Sequence, residues 1–538
     1  MSALLSKADL NDFISPGVAC IKPVEVTKTN DSGKAEIQID SESGQAYEVS
    51  LDGTTTTDLS AAQISLSDCL ACSGCITSAE SVSVSLQSHT ELSNAVRVNQ
   101  NLPSDQQKQF TVSISHQTRA SSATAYNISV NEADRRLATL FVEVLGFKYM
   151  VGMGVGREIS LDYSAKEVLD RMKIGTNSTT GLNSKPILSS SCPGWICYVE
   201  KTHQYIIPYL SAVKSPQQIT GSLLKEIISE ELNITKERIY HLSVMPCFDK
   251  KLEAARPEFT TGEDSDNKVK DVDCVITTKE IIQLLLDEGM TFEGLSRPNK
   301  NSDEFTALIN QKLKPENWPS TRSWASHEGS SSGGYLYHIL TTMQSYFTAT
   351  QGISTKINVI TGKNSDIVEY HIVDSNNEER ILSKSAQIYG FRNIQNLVRK
   401  LKPNSSGSVN VSGSSVSGLS ARRLARKSAL SGAKTGTISV IDPTSWAYVE
   451  VMACPGGCIN GGGQIGAPND VNVKEWKENA EIIYNTMPRL QVGSELIHKF
   501  IDNNWGYDRV DQSVLTGYTP VVSDEAVANH ALTLGSKW

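Results

Sequence analysis

The chain has 538 residues, 39% hydrophobic and 20% charged, with a formal net charge of -9. Such a composition belongs to an ordinary globular protein with room for several cores, and the acidic balance argues against nonspecific nucleic-acid binding. No segment reaches the roughly 18 to 20 uncharged apolar residues of a membrane span, and the opening MSALLSKADLNDF lacks the basic start and long apolar run of a secretory signal.

Residues 1–100 read as irregular and rich in Ser, Thr and Asp, with one strand-like stretch at Lys34–Ile39. This region carries Cys20 in GVACIKPVE and Cys69, Cys72 and Cys75 in DCLACSGCIT. Three cysteines with two residues between neighbours can wrap three corners of an iron–sulfur cubane while backbone N–H groups point at the sulfurs. Ser73 and Gly74 let the backbone come close. A cubane needs a fourth thiolate. The ferredoxin-type cysteine before a proline is absent downstream, which leaves Cys20 as the nearest candidate. A four-cysteine zinc site is the competing reading, although zinc ribbons usually present two separated CxxC pairs.

From about Val112 the pattern alternates between strand and helix. The run GMGVG at Gly152–Gly156 lacks the GxGxxG spacing of a dinucleotide site. Lys185–Ser190 reads as a buried strand running into Cys192 of SSSCPGW. Ile239–Val244 reads as another, running into Cys247 of MPCFDKKLE, and Asp273–Thr277 as a third. Thr277 and Glu280 have capping-box spacing for the following helix, and Gly289 supplies its stop. Strands alternating with helices predict a mostly parallel sheet covered on both faces. Ligands gather beyond the carboxyl ends of such strands, where Cys192 and Cys247 lie.

Residues 403–437 form a Ser/Gly-rich insert that cannot bury enough apolar surface to fold alone. Its basic cluster, Arg422, Arg423, Arg426 and Lys427, reads as a solvated patch, with a nuclear-import or phosphorylation site as the alternative. Asp442–Ala453 resumes as strand and leads into MACPGGCINGGGQ with Cys454 and Cys458. Lys474–Met487 and Ser494–Asn503 read as late helices.

Ten cysteines are too few for a disulfide scaffold, and eight of them sit in tight, ligand-like contexts. Two sets of four soft thiolates point to two iron–sulfur clusters in a reducing compartment. Pro193 suits the first position of a helix whose N-terminal dipole would face an anionic cluster. The glycines at 456, 457 and 461–463 permit close backbone approach. A phosphate loop is the competing reading of this segment, disfavoured because no Lys-Ser or Lys-Thr follows. Cys197 and Cys274 read as core residues, and His203, His241 and His327 as structural.

SSSCPGW, MPCFDKKLE and VEVMACPGGCINGGGQ, in that order, resemble the three signature motifs of the iron-only hydrogenase catalytic subunit. GSSSGGYLYHIL around Gly333 and AQIYGFRNIQNLV around Gly390 agree. The resemblance runs from about Val112 to Asn503. It implies a two-lobed α/β fold with a buried 4Fe–4S cubane between the lobes, held by Cys192, Cys247, Cys454 and Cys458. It also exposes a departure. Hydrogenases carry two adjacent cysteines in the first motif, and the first relays protons to a diiron unit; here that position is Ser191. A serine hydroxyl has no accessible deprotonated form near neutral pH. Lys250 and Glu253 remain from the second motif, where the matching lysine of hydrogenases contacts a ligand of the diiron unit. In this chain they are expected to satisfy one another or brace the pocket.

With a single accessory site that uses Cys20, the whole chain outside 403–437 looks like the hydrogenase-like factors of cytosolic iron–sulfur protein assembly, the nuclear prelamin A recognition factor-like family. That resemblance implies two 4Fe–4S clusters and no hydrogenase activity. It implies a role as adaptor or carrier between the scaffold NTPases and the targeting complex that delivers clusters to cytosolic and nuclear apoproteins. The terminal Trp538 is a candidate docking anchor, although Lys537 stands where an acidic or small polar residue is expected. The expected organisation is an irregular cluster-binding segment at 1–105, the two-lobed domain at 106–505 and a tail at 506–538. The expected compartment is the cytoplasm, with the nucleus second. The alternatives are a divergent hydrogenase or hydrogen sensor, and a two-cluster electron-transfer module.

Overall fold

The structure, a computed structural model, describes three strands at 35–39, 46–50 and 56–58 and residues 84–521, with breaks at 85, 178–185, 262–267, 297–310, 363, 403–441, 469–470, 494 and 506. Cys20, Cys69, Cys72, Cys75, Trp538 and the 403–437 insert lie outside the described residues. The chain divides into two compact units, Met1–Val82 and Ser83–Trp538.

In the first unit, Ala35–Ile39, Ala46–Ser50 and Thr56–Asp58 form a three-stranded antiparallel sheet in chain order. One of these strands was expected from the sequence; the other two were not.

The second unit begins with a helix, His89–Gln100, inside the stretch expected to be irregular. The Ser88 side chain caps it by accepting from the Glu91 N–H. Its Leu92 and Val96 enter the main core. That core is built on a four-stranded sheet in the order Cys274–Thr277, Ile239–Met245, Gln109–Ile114, Tyr149–Gly152. Every pairing in it is parallel. Such strands are buried on both faces and read as near-continuous apolar runs. One face packs Val112, Ile114, Leu242 and Val244 under Leu137, Ile281 and Leu284 of flanking helices. The other packs Val151 and Ile239 under Ile159, Leu223 and Phe500. Helices therefore cover both faces, as the alternating pattern predicted.

A second, five-stranded sheet runs Thr355–Thr361, Ile367–Asp374, Asn377–Tyr389, Tyr448–Met452, Ile187–Ser189. It is mixed. The first three strands are antiparallel, and the last two join in parallel. Only Ser375 and Asn376 separate the second strand from the third, a connection that permits a hairpin but no crossover.

The capping box of Thr277 and Glu280 is formed, and Gly289 takes φ +67° just past the helix end. Helices at Val473–Asn485 and Glu495–Asn504 match the two expected late ones. The expected strand at 442–453 is shorter. Pro443–Ser445 is a turn of 3-10 helix capped by the Asp442 side chain, and the strand is Tyr448–Met452. Pro443 has no N–H to give to a ladder, and the Asp442 carboxylate captures the Thr444 N–H, so the chain turns before it extends.

Candidate metal centre

Three strand ends, one in the first sheet and two in the second, converge on one cavity. Cys247 follows Ile239–Met245, Cys192 follows Ile187–Ser189, and Cys454 follows Tyr448–Met452 with Cys458 four residues on. All four cysteines line a cavity with an empty volume of about 610 Å3, together with Ser191 and Lys250.

Local geometry holds each thiol. Cys192 is the N-cap of Pro193–Thr202, with Pro193 at the first helical position, as its sequence suggested. The Cys192 N–H donates to Ser190 Oγ at 3.1 Å, and Ser190 Oγ donates to the Val451 carbonyl at 2.5 Å. The Cys458 N–H donates to Ser332 Oγ at 3.0 Å. The cysteine loops of the two sheets touch backbone to backbone: the Gly463 N–H donates to the Pro246 carbonyl at 3.0 Å. A Cβ on Gly461 would collide with that same carbonyl, and one on Gly463 with the Thr277 side chain. Glycine is needed here because any side chain would push the Cys458 loop away from Cys247.

Burial is the first cause of an upward pKa shift at every one of these thiols. Cys192 is pushed up to about 12, with the Asp249 carboxylate adding to the effect. Cys247 and Cys454 rise well above the ordinary thiol range, helped by Asp249 and by the neighbouring thiols. Cys458 also rises, opposed by Ser332, Lys250 and Arg157. Thiols held in this state ionise only when positive charge is brought among them.

Among the described residues, no group of three or more Cys, His, Asp or Glu side chains is placed to hold one metal ion. The four cysteines line one shared cavity, the kind of space an iron–sulfur cluster would occupy.

Lys250 and Glu253 satisfy one another. Lys250 Nζ lies 2.8 Å from Glu253 Oε2 and donates to Ser215 Oγ at 2.9 Å. Ser215 and the Gln217 amide also donate to the same carboxylate, at 2.9 and 3.1 Å. Ser191 borders the cavity, and its hydroxyl lies 4.0 Å from the Met452 sulfur.

The sequence did not single out Arg157, which stands on the same cavity wall. Its signal was present: it follows a glycine run at the carboxyl end of Tyr149–Gly152. That run serves packing. A Cβ on Gly152 or Gly154 would strike the backbone of Arg322–Ala325, and one on Gly156 would strike Thr220. Cys197 and Cys274 are buried core residues. His241 lies inside the first sheet between Ser113 Oγ and the Asp271 carbonyl, at 2.9 and 3.1 Å. His327 lies 3.8 Å from the buried Glu158.

A family profile described as "Iron only hydrogenase large subunit, C-terminal domain" matches residues 108–462. The "Cytosolic Fe-S cluster assembly factor NAR1" of Yarrowia lipolytica is 50% identical over 523 residues, spanning 97% of this chain and 98% of its own length. The chain belongs to the hydrogenase-like family of cytosolic iron–sulfur assembly factors. Proteins of the same name from Debaryomyces hansenii and Candida albicans are 44% and 43% identical, with 100% of each chain covered. Among solved structures, apo FeFe-hydrogenase HydA1 from Chlamydomonas reinhardtii superposes with a TM-score of 0.56 at 19% identity, covering 80% of this chain and 99% of its own. Another variant of that enzyme gives a TM-score of 0.56 at 21% identity, with the same coverage. At that identity the likeness shows the fold alone, and the hydrogenase-like family member described here has the iron-only-hydrogenase-like α/β fold expected from its motifs.

Proposed function

We propose that this chain is a non-enzymatic iron–sulfur protein of cytosolic cluster assembly. It acts as adaptor or carrier between the scaffold NTPases and the targeting complex, in the cytoplasm and the nucleus, with Trp538 as a docking anchor. Cys192, Cys247, Cys454 and Cys458 would hold a buried 4Fe–4S cluster, and Cys20, Cys69, Cys72 and Cys75 a second one. The observation that carries this reading is the set of four cysteines, drawn from both sheets around one cavity, in a chain whose near-full-length relatives bear the assembly-factor name.

A bound cluster supplies iron, sulfide and one-electron redox capacity. The chain's own residues do the rest. Pro193–Thr202 presents its N-terminal end beside Cys192, and the glycine loop at 461–463 keeps the Cys458 segment against Pro246. Ser191 supports the absence of hydrogenase activity, because its hydroxyl cannot cycle a proton near neutral pH as a thiol does. Lys250 supports it too, since its ammonium is already spent on Glu253 and Ser215.

Anaerobic iron and sulfide analysis, with EPR and infrared spectra on the same sample, tests the proposal. About eight irons per chain, as two cubanes require, without carbonyl or cyanide bands, is the expected result. Such bands would instead identify a diiron unit and a divergent hydrogenase.

A further inference from the structure

Arg157 stands on the first turns of Gly154–Asn177 and is 4% exposed. Nη1 donates to Tyr484 Oη at 2.6 Å and to Ser326 Oγ at 3.3 Å, and Nε has no acceptor. Four carboxylates of this region are committed elsewhere, and Asp249, beside Cys192, Cys247 and Cys454, forms no ion pair with Arg157. Asp134 pairs with Arg119, Glu158 with Arg322, and Glu253 with Lys250, at 2.6, 2.6 and 2.8 Å. Glu450 accepts from Tyr389, Ser330 and the Leu336 N–H. Among the described residues, no acidic side chain forms an ion pair with Arg157.

A buried guanidinium without a counter-charge is costly, since it has left water and gained only neutral partners. Lys250 is the other cationic side chain on the cavity wall, and Glu253 neutralises it. Arg157 is thus the unpaired positive charge facing a cavity ringed by four cysteines. Four thiolates around an iron–sulfur core carry net negative charge, the sign that complements the Arg157 guanidinium.

We infer that Arg157 is the built-in counter-charge of the group held by Cys192, Cys247, Cys454 and Cys458, and that it raises that group's reduction potential and strengthens its retention. The inference rests on the cluster reading above. A fixed cation stabilises the reduced, more negative state over the oxidised one, and in a low-dielectric cavity the effect is large. Its role is electrostatic: the residue tunes the site and relays nothing.

The test is an EPR-monitored redox titration of the full, loaded chain, following the signal that Cys247→Ala removes. Arg157→Met should lower the potential, so that the reduced-to-oxidised ratio at a fixed solution potential falls about tenfold, which is 59 mV for one electron. It should also lose iron to a chelator faster. Arg157→Lys keeps the charge and should stay near the parent. Tyr484→Phe removes the shortest hydrogen bond to Arg157 without touching the charge and should leave the potential in place. A merely structural role would instead make Arg157→Lys and Tyr484→Phe behave like Arg157→Met. Iron retained by Arg157→Met at an unchanged potential overturns this inference alone. A parent chain with no iron on the Cys192 quartet overturns the cluster reading with it.

Discussion

The two sheets of the main unit meet the cavity on unequal terms. The four-stranded sheet is parallel throughout, clad in helices on both faces, and sends in one cysteine, Cys247. The five-stranded sheet sends three, Cys192, Cys454 and Cys458, from its parallel end. Its antiparallel end runs out to an edge strand where Val359 and Ile360 are exposed. The better-buried sheet thus has the thinner hold on the site. Any group bound there staples the two sheets through a single thiol on one side, and metal-binding energy becomes folding energy shared between them.

The sharpest way to break the comparison is to remove that thiol. Cys247→Ala should abolish the buried cluster and lower the melting temperature strongly. Cys458→Ala leaves two thiols on the five-stranded sheet and Cys247 on the four-stranded one, so the sheets stay joined, and it should retain more iron and melt higher. Iron analysis and thermal unfolding of the two variants decide it; equal losses would mean the sheets are stapled symmetrically. Next comes the knot beside Cys247. Lys250→Met strands the Glu253 carboxylate in a buried site and should cost about 3–5 kcal/mol in urea unfolding. Adding Glu253→Gln should recover most of that loss, because the charge left behind is then gone.

The smallest effect is a pH response inside the first sheet. Burial, then the Lys225 charge, holds His241 down to about 4, against the Asp271 carbonyl and the Asp273 carboxylate. The unfolded chain therefore takes up a proton near 6.5, before the folded one does. The stability that the neutral ring contributes is complete above about 6.5 and drains away as pH falls toward 4, by on the order of 2–3 kcal/mol. Urea unfolding at pH 7 and pH 5 should show the loss, and His241→Gln should flatten it. An unchanged slope in that variant would move the response to other histidines, such as His338, which burial also holds near 4.

Much of this was legible in the chain. The four cavity cysteines stand in motifs whose strand-then-cysteine pattern puts them beyond carboxyl ends, and an apolar run bounded by turn residues is a local signal. The capping box at Thr277 is local as well. The helix His89–Gln100 was missed because its apolar residues are few and sit in polar sequence; Leu92 and Val96 earn their place only by packing on the sheet. The glycine run at 152–156 lacks dinucleotide-site spacing in the sequence, but its packing role was not legible there, since that role lies in segments more than sixty residues away, at Thr220 and Arg322–Ala325.

Sequence by itself determined the three cysteine motifs, the strands that lead into them and a serine, Ser191, beside Cys192, because each is written in contiguous residues. Tertiary structure alone decided that the two sheets share the four thiols one to three, that Lys250 is consumed by Glu253 and Ser215, and that Arg157 faces the cavity unpaired. Those are facts of distance and charge balance between segments far apart in the chain, and no local pattern of side chains encodes them.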